Sequence, residues 1–138
     1  MRKQFLIVLL MMGFYLPVFA QKPQKIVFDF ARSDSAAFKT MIAQINNIVK
    51  EAPYTTVEVV CNGPGVFLLV KDKTNMSKEM EEIQKVFNVS FVACANSMQA
   101  LKVDKSQLLP FAKIVPVAML ELSYRQQEGW SYIKAGAN

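Results

Sequence analysis

The sequence predicts a three-layer α/β/α domain, with helices on both faces of a mainly parallel sheet of about five strands. Three observations carry that expectation. Short apolar runs of strand length alternate with longer stretches whose apolar residues recur every three or four positions. Turn-forming Gly, Pro and Asn separate the two kinds of segment. The chain left after an N-terminal leader, residues 21–138, suits one domain and shows no internal repeat or low-complexity tract.

Ile26-Val27-Phe28-Asp29-Phe30 reads as a first strand that leaves into polar Arg32-Ser33-Asp34, where Ser33 or Asp34 can cap a helix. From Ala36 to Lys50, Phe38, Met41, Ile42, Ile45, Ile48 and Val49 mark one apolar face, and Pro53 lies beyond the end. Val57 to Cys61 is a second strand stopped by Asn62-Gly63-Pro64-Gly65, and the apolar run Val66–Val70 fits either helix or strand. Ser77 and Lys78 open a helix with Met80, Ile83, Val86 and Phe87 inward, closed by Asn88. Val89 to Ala93 is a third strand that delivers Cys94 at its carboxyl end, and Asn96 and Ser97 are placed to cap a short helix holding Met98 and Leu101. Asp104 or Ser106 caps a turn before Pro110, and Ile114-Val115-Pro116 is a strand kept short by its proline. Val117 to Glu128 is the last helix, with a Glu121–Arg125 pair four apart and Gly129 at its end, and Trp130 to Ile133 closes the sheet. The methionines after the leader are read as core filling, and Trp130 as a core or subunit-contact residue.

The leader is the apolar run Phe5–Leu16, preceded by Arg2 and Lys3 and followed by Val18 and Ala20 before polar Gln21. This is the pattern of a cleavable export signal, 1–20, cut between Ala20 and Gln21. Twelve apolar residues span roughly 18 Å as a helix, short of a ~30 Å hydrocarbon core, so cleavage is favoured over an uncleaved anchor. The expected product is periplasmic or secreted, with no membrane attachment. Arg2 and Lys3 take two of the sixteen basic residues with them, leaving fourteen against eleven acidic ones, a formal +3. Without a basic run, that balance gives no case for nucleic acid.

The sequence holds no His, the commonest metal ligand and general base, and its two cysteines are not in a C-x-x-C spacing. No metal and no cofactor are expected. Ligands of such sheets lie outside the carboxyl ends of the strands, which selects Cys61-Asn62-Gly63-Pro64-Gly65 and Cys94-Ala95-Asn96-Ser97. A thiol where a strand enters a helix meets the positive end of the helix dipole, which lowers its pKa and supplies a nucleophilic thiolate. A buried cysteine acting as a small hydrophobe fits the same position. Gly63-Pro64-Gly65 lacks the Lys and Ser/Thr of a phosphate loop, so its glycines are read as allowing a sharp turn and a close backbone approach, with its N–H groups still able to hold a small anion.

Val59-Val60-Cys61-Asn62-Gly63-Pro64-Gly65-Val66, Phe91-Val92-Ala93-Cys94-Ala95-Asn96-Ser97-Met98, Leu108-Leu109-Pro110 and Gln127-Glu128-Gly129-Trp130-Ser131-Tyr132-Ile133, in that order, resemble the DsrE/DsrF-like sulfur-relay family with its YchN-type fold. The resemblance covers nearly all of residues 21–138. It implies a homo-oligomer, trimeric or hexameric, and a cysteine that passes sulfur as a persulfide to or from a donor or acceptor protein. Cys94 matches that cysteine, with Asn62, Gly63, Gly65, Asn96 and Ser97 lining the pocket beside it. Three functions compete: a persulfide carrier on Cys94, a non-catalytic oligomeric module binding a small ligand in the same crevice, and a structural or redox disulfide between Cys94 and Cys61, which an even cysteine count in an exported protein favours.

Overall fold

Five parallel strands in the order β4-β3-β2-β1-β5 form the sheet of the computed structural model, which describes residues 22–136. The strands are β1 (Lys25–Phe30), β2 (Thr56–Cys61), β3 (Val89–Cys94), β4 (Lys113–Val115) and β5 (Ser131–Ala135). The helices are α1 (Ser35–Glu51), α2 (Ser77–Val86), α3 (Ala95–Ala100) and α4 (Ala118–Gln127). Residues 1–20, read above as an export signal, and the expected Ala20–Gln21 cut lie outside the described part. Among the described residues no helix is long and apolar enough to cross a membrane.

Parallel strands covered on both faces carry nearly continuous apolar sequence, as β2 and β3 do. The two faces are filled unequally. Phe28, Phe30, Val57, Val59, Cys61, Phe91 and Ala93 point to one side and join α1 and α2 in a large core. α1 contributes Phe38, Met41, Ile42, Ile45 and Val49, a helical stripe, and starts where the Asp34 carboxylate accepts the Ala37 N–H at 2.8 Å. The opposite side carries a smaller apolar cluster, Val27, Val60 and Cys94, covered by Ala118 and Leu122 of α4 with Trp130 packed alongside.

The apolar run after β2 is neither strand nor α-helix. Gly63–Leu69 winds as a 3-10 helix with Pro64 in its first turn, which buries Val66, Leu68 and Leu69. Val70 then makes an isolated antiparallel bridge to Leu108. Met41, Met76, Met80 and Met98 fill the core as expected, but Met119 is 56% exposed. Among the described residues its side of α4 has nothing to pack on, because Ala118 and Leu122 face the sheet.

Candidate functional site

β2 and β3 run parallel with Cys61 opposite Ala93, so Asn62 and Cys94, one residue on, leave the carboxyl edge side by side. Side chains alternate across a sheet. Cys61 and Cys94, one step out of register on adjacent strands, therefore point to opposite faces, and each belongs to a different core cluster. Both are free thiols. This corrects the disulfide reading: a bridge would have to pass through the sheet, so Cys61 is not the redox partner of Cys94. Cys61 is wholly buried, and burial pushes its thiol well above the ordinary range.

Cys94 is held differently. β3 runs straight into α3, so Cys94 itself occupies the cap position expected of Asn96 or Ser97, which fall inside the first turn instead. The first N–H of α4, from Ala118, donates to Cys94 Sγ at 3.3 Å. Burial, leaving the residue 4% exposed, pushes this thiol up. Hydrogen bonds from the Ser97 hydroxyl and from the N–H groups of Ser97, Ala118 and Asn96 outweigh burial and bring it below the ordinary value. Ser97 Oγ in turn accepts the Gly63 N–H at 2.8 Å, so the loop after β2 and the helix after β3 are tied at the sulfur. Ser97→Ala removes the hydroxyl donor, and the midpoint of Cys94 ionisation, followed by thiolate ultraviolet absorbance, is expected to rise. An unmoved midpoint would remove Ser97 from the site.

The other loop residues serve the architecture around it. Gly65 lies against the Phe30 main chain, the close approach expected of these glycines. Gly63 adopts φ +46°, the left-handed turn. The Asn96 N–H bonds the Pro116 carbonyl at 3.3 Å, joining α3 to the start of α4. Asn62 does border Cys94 in the chain register, yet its side-chain amide donates to Asp29. Asp29 is 8% exposed and takes a second hydrogen bond from the Tyr132 hydroxyl at 2.9 Å. Burial and the Asp29 carboxylate raise the Tyr132 pKa.

Asp29, Tyr132 and a second cluster under α4 were not among the candidates drawn from the sequence. In that cluster Glu58 is 3% exposed and pairs with Arg125 through both carboxylate oxygens at 2.9 Å. Arg125 also reaches Glu121 at 2.9 Å, the pair expected from spacing, and Glu128 at 3.0 Å. Among the described residues, no three His, Cys, Asp or Glu side chains come together as a metal-binding set.

A small α/β domain whose parallel sheet delivers a hydrogen-bonded cysteine at its carboxyl edge is the class that this fold and site define. The chain belongs to the DsrE/DsrF-like family, whose model matches residues 17–135. Among solved structures it is similar to MTH1491 of Methanobacterium thermoautotrophicum, a protein of unknown function, at 28% identity and a TM-score of 0.75, over 80% of this chain and 98% of that one. The ychN protein of E. coli aligns at 13% identity and a TM-score of 0.67, over 80% of this chain and 98% of that one. BT1422 of Bacteroides thetaiotaomicron, a conserved protein of unknown function, aligns at 13% identity and 0.65, over 80% and 94%. No curated protein matches the sequence.

Proposed function

We propose that this chain is an exported DsrE-like protein that carries sulfur as a persulfide on Cys94. The observation that carries the reading is the Cys94 sulfur at the carboxyl edge, held by the Ala118 N–H and the Ser97 hydroxyl, which favour its thiolate. A thiolate of this kind attacks a sulfane sulfur. With thiosulfate, the Cys94 thiolate forms a new S–S bond to the outer sulfur. The S–S bond of thiosulfate breaks, and sulfite leaves with the electron pair. The product is a Cys94 persulfide anion, which the same N–H groups stabilise, and no outside oxidant or reductant enters. The low exposure of Cys94 favours small donors over bulky disulfide reagents. The leader read in residues 1–20 supports export, and the exposed apolar side of α4, with Met119, Leu120 and Tyr124, supports assembly into a homo-oligomer.

The test is intact mass after incubation of the purified, reduced protein with thiosulfate or polysulfide. One adduct of about 32 Da is expected in the wild type and in Cys61→Ala, and none in Cys94→Ser. An absent adduct in the wild type, or one that survives Cys94→Ser, sinks the proposal.

A further inference from the structure

Among the described residues, α4 is the one helix packed on its face of the sheet, and of its own side chains it buries Ala118 and Leu122. Two apolar side chains hold a helix down but leave it free to slide and roll. The same helix supplies the Ala118 N–H to Cys94 Sγ, so any such movement is felt at the sulfur. Arg125 lies seven residues on from Ala118, roughly 10.5 Å along the helix axis. There its guanidinium meets the buried Glu58 of β2 through two parallel hydrogen bonds of 2.9 Å. Paired bonds between a planar fork and a carboxylate fix direction as well as distance. The fork is itself braced, with the Trp130 ring 4.9 Å from its central carbon, Glu128 bonded to the remaining nitrogen, Nη1, and Glu121 sharing Nη2 with Glu58. Gly129, at φ +83°, turns the chain so that the Trp130 N–H returns to the Arg125 carbonyl at 3.0 Å.

We propose that the Glu58–Arg125 pair is a positioning device for Cys94, fixing where α4 lies on the sheet and so holding the Ala118 N–H against the thiol sulfur. Glu58 and Arg125 touch no reacting atom and act through the helix between them and the site. A buried ion pair contributes little net stability compared with an apolar pair of similar size, and geometry is what this one supplies. The charged groups on this face are Lys25 and Asp29 of β1, Glu58 of β2, Lys113 of β4, Lys134 of β5, and Glu121, Arg125 and Glu128 at α4; the Lys25 ammonium lies 6.0 Å over Trp130, and Asp29 is held by Asn62 and Tyr132.

The inference rests on Cys94 being the reactive site, but its readout uses no sulfur donor, so a missing persulfide adduct and an unmoved thiol are separate results. In a Cys61→Ala background, Cys94 is titrated by thiolate ultraviolet absorbance. The signs separate positioning from a through-space field. Glu58→Gln removes a negative charge, and a field effect alone would lower the Cys94 midpoint. Positioning predicts the reverse, a rise of about one pH unit as the Ala118 N–H loosens. Arg125→Lys keeps the charge and keeps Glu58 compensated, so it folds, but it loses the fork, and it too is expected to raise the midpoint. Ile83→Ala, in the core on the other face, is the stability control and is expected to lower Tm with the midpoint unchanged. A midpoint that falls or stays put in Glu58→Gln, stays put in Arg125→Lys, or rises as far in Ile83→Ala overturns the proposal.

Discussion

Gly65→Ala is expected to destabilise the protein by about 3–5 kcal/mol, lowering Tm by on the order of 10–20 °C. A Cβ at this position would stand 2.2 Å from the Phe30 carbonyl oxygen, 2.8 Å from its carbon and 3.0 Å from Ala31 Cα. All three atoms are main chain, so no side chain can swing away. The carbonyl is also committed, since it accepts the Asn62 N–H at 3.0 Å. Relief requires the whole 3-10 segment to lift, and that segment anchors Val66, Leu68 and Leu69 in the core. It would also draw Gly63 from Ser97 Oγ, so the folded fraction should show a raised Cys94 midpoint. Gly63→Ala gives the contrast, because nothing lies within 4 Å of its Cβ and only the left-handed φ is strained, at about 1–2 kcal/mol. Thermal melts of both variants decide it, and a Gly65→Ala protein melting with the wild type would show that the sheet edge yields without cost.

The fold was legible because periodicity decides it: α1 and β1 to β3 are strongly patterned, and the structure places them within a residue or two of the sequence reading. Val66–Val70 was not, since a short fully apolar run has no period, and its 3-10 path is set by Pro64 and by Gly65 against β1. Cys94 was legible by position at a strand end. What sequence could not give was which face each cysteine takes. Alternation within one strand is visible, but the register between β2 and β3 is a tertiary fact, and it alone separates Cys61 from Cys94. Asp29 and Glu58 left a signal that was readable: each is a lone carboxylate inside an apolar strand, Phe28-Asp29-Phe30 and Val57-Glu58-Val59. A charge so placed needs a buried partner. The partners, Asn62 and Tyr132 for one and Arg125 for the other, come from 33 to 103 residues away, beyond what local spacing reveals.

The two thiols should make opposite contributions to stability as pH rises. An unfolded cysteine ionises near pH 8.5. Cys61, raised by burial, keeps its proton in the fold when the unfolded chain has lost it, so above about pH 8.5 it removes about 1.4 kcal/mol of stability per pH unit. Cys94 has its folded value lowered, so the fold sheds this proton first. Its contribution grows as pH rises from the folded value towards about 8.5, is complete above that, and is lost as pH falls back through the folded value. Denaturant unfolding of wild type, Cys61→Ala and Cys94→Ala between about pH 7 and pH 10 measures both. Lysines and tyrosines titrate alike in all three proteins and cancel in the differences. Relative to wild type, Cys61→Ala should gain stability steadily above about pH 8.5, whereas Cys94→Ala should fall behind over the interval just below it and then run parallel. Curves that keep a constant separation across the range would mean that neither thiol's environment differs from solvent. Opposite slopes would report in thermodynamic terms what the register sets in structural ones: two cysteines on adjacent strands, one sealed in the core and the other held by donors at the edge.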